Sequence, residues 1–188
     1  GSMSNLDIYQ DHLIINDTND SITTANLITA CDADADVTTI CADATGIVPT
    51  GKELYIAAST TFAPGAAWDN NGKTEVVATG TINLAANAAT VAGDFINAGT
   101  LTCTAGTDFT LDGTAAQLFN PGSSAIACDV IVDNSFPSLT LTGNALNTSA
   151  NLTIGTSRSI DIGSLALTVS GTFSNNGTIS LVGGNTLT

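Results

Sequence analysis

Apolar and polar residues alternate in short runs along most of this chain. In SLALTVSG, Leu165, Leu167 and Val169 fall on one side, and Ala166, Thr168 and Ser170 on the other. The same period of two sets Leu139 and Leu141 against Thr140 and Thr142, and Leu152 and Ile154 against Thr153. It also sets Phe109 and Leu111 against Asp108, Thr110 and Asp112, and Cys128, Val130 and Val132 against Asp129, Ile131 and Asp133. Alternation on this scale predicts half-buried strands. Between the runs lie clusters such as Asn120-Pro121-Gly122 and Asn175-Asn176-Gly177, whose residues suit turns. An all-β chain of many short strands follows.

A longer pattern chooses between an antiparallel sandwich and a parallel coil. Residues 89–101 read ATVAGDFINAGTL and residues 167–179 read LTVSGTFSNNGTI. A sandwich does not need its segments to resemble one another, whereas a solenoid stacks like upon like. The expected fold is therefore a right-handed parallel β-helix of about seven coils, a rod on the order of 30 Å at roughly 4.8 Å per coil. Val91 and Val169, and Phe95 and Phe173, are expected to occupy equivalent core columns, three or four coils apart. Asn97 and Asn175 would stand at tight corners, where left-handed backbone is cheap for Asn and stacked amides can form ladders.

The organisation expected is threefold. Residues 1–3 read as a cloning remnant. Residues 4–45, rich in acid and without the GT-type turns seen later, read as an irregular lead-in that caps the first coil edge. Residues 46–188 read as the β-solenoid repeat domain, expected to be cut from a longer chain because the last repeat stops without a polar cap.

Composition narrows the partners. The chain holds 17 acidic and 3 basic residues, a formal net charge of −14, and such a polyanion is repelled by phosphate backbones and anionic lipid. Nucleic acid is not an expected partner. No apolar run approaches the roughly 20 residues that cross a bilayer, so membrane insertion by this segment is not expected either. The acidic surface would keep a Thr-rich chain soluble in an extracellular medium.

The residues GIVPTGKELYI, followed by TVAGDFINAGTL, VIVDNSFPSLTLTGN and LTVSGTFSNNGTI, give the chain a family likeness. Over residues 46–188 it resembles the β-solenoids of giant bacterial surface proteins, adhesin-like or autotransporter-like. That resemblance implies a stalk, spacer or adhesive segment at the cell surface or outside the cell. Its partners would be surface carbohydrate or other copies of the surface protein. No functional residue carries over, because the shared positions are core and turn positions.

Candidate chemistry is sparse. Four cysteines with no CxxC and a single His argue against zinc. Cys103 and Cys128 lie about one coil apart, so stacking would bring them within disulfide reach; Cys31 and Cys41 would clip a short loop. Asp32, Asp34 and Asp36 would project from one face of an extended segment, and Asp17 and Asp20 form a second oxygen-rich run. Like charges so placed call for solvent or a hard cation, which makes structural calcium the one cofactor to consider. The EF-hand pattern is absent, since the Gly and the closing Glu are missing. Trp68 and Tyr55 are the aromatics to inspect for ligand contact.

Two active alternatives make distinct demands. A carbohydrate-binding or polysaccharide-degrading β-helix would need a base or paired carboxylates, from Lys52, Lys73 and Arg158, or from Asp108, Asp112, Asp129 and Asp133. None of the cations lies near an acidic cluster in sequence, and no catalysis is expected. An ice-binding solenoid would use outward Thr pairs such as Thr102-Cys103-Thr104 and Thr140-Leu141-Thr142.

Overall fold

The computed structural model describes residues 6–9, 12–15, 21–22, 48, 50–51, 53–135 and 138–182. Every described element is a short strand. At the start stand β1 (Leu6–Tyr9), β2 (His12–Ile15) and β3 (Ser21–Ile22). Six three-sided coils follow. The first holds β4 (Glu53–Ile56), β5 (Thr61–Phe62) and β6 (Trp68–Asn70), and the second β7 (Lys73–Val76), β8 (Thr81–Ala85) and β9 (Ala89–Val91). The third holds β10 (Phe95–Asn97), β11 (Thr100–Cys103) and β12 (Asp108–Leu111). In the fourth, β13 (Gln117–Asn120) and β14 (Asp129–Val132) flank a single bridge from Ile126 to Thr148. The fifth holds β15 (Leu139–Leu141), β16 (Leu146–Thr148) and β17 (Leu152–Ile154), and the sixth β18 (Ser159–Gly163), β19 (Leu167–Val169) and β20 (Phe173–Asn175). β21 (Thr178–Leu181) then returns to the first side.

Parallel pairing between coils makes a sheet on each side. The first side is a nine-stranded sheet in the order β1-β2-β4-β7-β10-β13-β15-β18-β21, antiparallel only between β1 and β2. The third side carries β6, β9, β12, β14, β17 and β20. The second side is split, with β3, β5, β8 and β11 in one sheet and β16 and β19 in another. The chain is thus all-β, a parallel β-solenoid. Its sheets reach further back than residue 46, because β2 pairs with β4 and β3 with β5.

Alternation explains the core. Each strand turns every second side chain inward, so β4, β7 and β18 show the same intermediate-buried pattern, and Leu54, Ile56, Val76 and Ile160 lie in one continuous cluster. Phe95, Phe109 and Phe119 fill the middle, with centroids 5.2, 6.0 and 6.1 Å apart. Aromatic contacts at these separations contribute roughly 0.5–1.5 kcal/mol beyond burial.

Corners come in two kinds. At some, an Asn side chain folds back on its own turn: Asn97 Oδ1 accepts the Gly99 N–H at 2.9 Å while its Nδ2 donates to the Pro121 carbonyl of the next coil at 3.1 Å. Among the described residues the expected amide ladder has a step from Asn144 Nδ2 to Asn120 Oδ1 at 3.0 Å, and Asn134 Nδ2 donates in the same way to Gln117 Oε1 at 2.8 Å. At others a left-handed residue makes the bend, as at Ser59 and Thr79 with φ of 60° and 68°, and the Ser59 N–H donates to the Thr79 carbonyl at 3.2 Å. Where backbones pass closest only glycine fits, since a Cβ on Gly93 would stand 2.0 Å from the Gly72 carbonyl oxygen.

Register corrects the reading of the repeat. Leu54, Thr74, Phe95, Phe119 and Leu141 follow one another up the first side, and Leu139, Ile160 and Ile179 continue it. The coils are unequal: the stretch from Phe95 to Phe119 is the longest of these and that from Ile160 to Ile179 the shortest. The distance from Val91 to Val169 is therefore three coils and most of a fourth, and the two residues do not fall in one column. Val91 lies on the third side and Val169 on the second, while Phe95 lies on the first and Phe173 on the third. The motif specifies side, corner, side, corner, wherever on the coil it begins.

Cys103 and Cys128 form a disulfide with Cα atoms 5.4 Å apart. They are not stacked in a column: Cys103 ends β11 beside Ala85, and Cys128 immediately precedes β14. The bridge crosses a corner diagonally, at the place where the second side lacks ladder pairing between β11 and the fourth coil. A cross-link closing a loop of this length contributes about 3 kcal/mol in the chain-entropy account.

Candidate functional site

A groove of about 500 Å³ runs along the corner between the third and first sides, across the early coils. Its floor is small because the stacked turns Asn71-Gly72, Ala92-Gly93 and Thr114-Ala115 bring backbones into contact there, as the Gly93 approach requires. Its rim is polar. Glu53, Lys73 and Asp94 stand at the start of the first side in three successive coils and line the groove together.

Among the described residues the one ammonium of this rim sits between two carboxylates. Lys73 Nζ lies 2.7 Å from Glu53 Oε1 and 2.6 Å from Glu75 Oε2. Partial burial pulls the Lys73 pKa down, but hydrogen bonds and attraction from Glu53 and Glu75 outweigh it and raise the value above the ordinary lysine range. The ammonium therefore holds its proton at neutral pH and is a poor general base. Asp94 Oδ1 accepts the Leu118 N–H at 2.8 Å, so it also ties one coil to the next. What the groove offers a ligand is a line of hydrogen-bonding groups, suited to the hydroxyls of an extended chain.

The fold does bring the candidate carboxylates together on the third side. Asp108 pairs in register with Asp129, and Asp112 and Asp133 occupy the same corner position of consecutive coils. Asp129 and Asp133 are committed to their surroundings: Asp129 Oδ1 accepts the Asn151 N–H at 3.1 Å, and Asp133 Oδ1 receives Arg158 Nε at 2.7 Å. Burial raises the pKa of Asp112, helped by the negative charges of Asp69 and Asp133 and opposed by a backbone N–H. Neither Asp112 nor Asp133 lines the groove. Among the described residues, no group of three or more His, Cys, Asp or Glu side chains is placed to hold a metal ion.

Trp68 is 2% exposed and packs edge-on to Phe62 at 5.2 Å, so the indole is core and not a ligand platform. Trp68 falls inward because the strand Trp68–Asn70 alternates buried, exposed, buried, with Asp69 taking the outward place. Tyr55 lies half-buried on β4, in register with Glu75, on the first side beyond the groove rim. Cys31, Cys41, Asp17, Asp20, Asp32, Asp34, Asp36 and Lys52 lie outside the described residues.

The two Thr pairs singled out for ice do not share a side. Thr102 belongs to the second side, Thr140 to the first, and Cys103 between Thr102 and Thr104 is spent on the disulfide. A different set was missed. Thr61, Thr81 and Thr100 stand in direct register on three consecutive coils of the second side, with Asn83 and Thr102 two positions along. Sequence spacing hides this row, as it hides the Glu53 to Lys73 pair, because the separation between partners changes from coil to coil.

No protein-family model matches the chain, and neither a curated protein nor a solved structure matches it. Among the described residues no helix is long and apolar enough to cross a membrane.

Proposed function

We propose that this chain is a structural or adhesive β-solenoid segment, a stalk or spacer, of a large secreted or cell-surface bacterial protein. The observation that carries the reading is one core running without interruption through all six coils, from Leu54 to Leu167. Such a rod holds its ends apart, and its stiffness comes from ladder hydrogen bonds repeated on each side. A coil-to-coil disulfide supports an oxidising location, where such bonds persist. The adhesive part of the reading rests on the corner groove, where Glu53, Lys73 and Asp94 would meet a surface carbohydrate. Brief protease treatment of intact cells of the encoding organism tests location. Peptides of this chain in the released fraction support the proposal, and their confinement to the cell lysate contradicts it.

A second reading is favoured by the row of Thr61, Thr81 and Thr100. Hydroxyls repeating at about the 4.8 Å coil spacing on a regular sheet could order water as an ice-binding surface does. Thermal hysteresis of the purified chain decides it: a freezing gap supports ice binding, and none removes it.

A further inference from the structure

The corner groove carries its charges in a definite order. Glu53 and Lys73 are register partners, and Asp94 stands one position before the pairing of Phe95 with Thr74, so the three follow one another in a row up consecutive coils. Coils are about 4.8 Å apart, which sets the two acids two spacings from each other, roughly 9.6 Å, with the ammonium between them. Lys73 is already held by Glu53 at 2.7 Å and by Glu75 at 2.6 Å. Among the described residues three carboxylates thus gather about one ammonium. The whole chain has the same sign, a net charge of −14 with Lys52 counted.

An anionic ligand would meet this field and find the nearest cation shared between two carboxylates, so the complementary ligand is a cation. A carboxylate has about four acceptor sites, and the Leu118 N–H that Asp94 accepts at 2.8 Å leaves it able to take an ammonium as well. Shape and spacing favour a sugar chain. The floor is built from Gly72, Ala92, Gly93 and Ala115, over which a flat ring can lie close to the backbone. Leu118, next in the row beyond Asp94 and 42% exposed, offers the C–H face of a ring an apolar contact. In an extended peptide the side chains of one face recur about every 6.7 Å, which matches neither one coil spacing nor two. In a β-1,4-linked sugar chain alternate rings are turned over, so a substituent returns to the same side every second ring, and a pair of rings is close in length to a pair of coils.

We propose that the groove binds a β-1,4-linked amino-sugar chain with free, protonated amines, one ammonium at Glu53 and the next on the same side at Asp94. The intervening ring crosses Lys73 with its own amine turned to solvent. The inference rests on the reading of this groove as an adhesive site and adds the class of glycan that it selects.

Titration calorimetry of the whole chain at about pH 6, where the amines are protonated and the carboxylates ionised, tests it with oligomers of equal length. The probes are deacetylated glucosamine, its N-acetylated form, a uronic acid and oligolysine. The deacetylated oligomer should bind at least about 10-fold more tightly than any other, and Asp94→Asn, which keeps an acceptor for the Leu118 N–H, should weaken it by about 10-fold. Thr114→Arg, at an exposed position lining the groove, should weaken it further by setting a cation of the protein's own in the ligand's place. Added salt should weaken binding too. Equal or tighter binding of the acetylated or uronic oligomer overturns the choice of amines and leaves the adhesive reading standing, whereas binding of no sugar removes both. Oligolysine bound as tightly as the amino sugar overturns the proposal in favour of a basic peptide. So does a folded Asp94→Asn or Thr114→Arg chain, its melting temperature unchanged, that binds as tightly as the original.

Discussion

Residues 89–101 and 167–179 carry nearly the same motif in opposite surroundings. In the first copy Val91 and Phe95 are fully buried and Asn97 is 1% exposed; in the second Phe173 is 41% exposed and Asn175 lies open. Both copies fold alike, as strand, Gly corner, strand, Asn corner, strand, though they start on different sides of the coil. Local sequence therefore sets the path of the chain, and the neighbouring coil sets what that path is worth. The Asn turn survives exposure, since Asn175 Oδ1 still accepts the Gly177 N–H at 3.0 Å. The reach that Asn97 makes to the next coil has no counterpart, because no strand lies beyond β20 among the described residues.

Mutating equivalent positions in the two copies should separate these contributions. The largest gap is expected at the aromatic: Phe95→Ala should cost about 4 kcal/mol in urea denaturation and Phe173→Ala under about 1, because only the first leaves a cavity. Equal costs would mean that the second ring is also enclosed. Next comes the covalent tie. Cys103→Ser with Cys128→Ser should lower stability by about 3 kcal/mol, with amide exchange accelerating first around β11 and β14 and least in the sixth coil. At the corners, Asn97→Ala should cost about 2 kcal/mol, since the Gly99 N–H and the Pro121 carbonyl both lose a partner near the core, whereas Asn175→Ala should cost about 0.5 kcal/mol.

The smallest effect is electrostatic. Asp112 has a raised pKa in the fold, so the folded state holds its proton more tightly than the unfolded state does. Stability from this group is present at low pH and declines as pH rises from the ordinary Asp value through the raised one. Asp112→Asn should accordingly stabilise the chain at pH 7, by less than about 1 kcal/mol after solvent screening, and flatten the pH profile of the melting temperature above the ordinary Asp range. A destabilised variant at pH 7 would show that the carboxylate is compensated.

Much of the architecture was legible because alternation is local. Leu139-Thr140-Leu141 and Leu152-Thr153-Ile154 announce their inward faces within three positions, and the NxG corners announce their bends. Register is a different matter. Coils of unequal length place Glu53 beside Lys73, Thr81 beside Thr100 and Phe95 beside Phe119, and no single period fits all three. The same unevenness concealed that the motif returns on another side of the coil. Trp68 was open to either reading, because the outward place could have fallen to it or to Asp69; the pairing of Trp68 with Ala89 and Asn70 with Val91 settles the phase.

Hydrogen exchange followed residue by residue, at a concentration where the chain is monomeric, tests the central claim most directly. Amides of β10, enclosed by coils above and below, should exchange at the rate set by global unfolding. Those of β20 and β21, whose outer edges are unpaired among the described residues, should exchange orders of magnitude faster despite the shared motif. Equal protection of residues 95–97 and 173–175 would contradict the account, since protection would then follow local sequence and not the coils stacked around it.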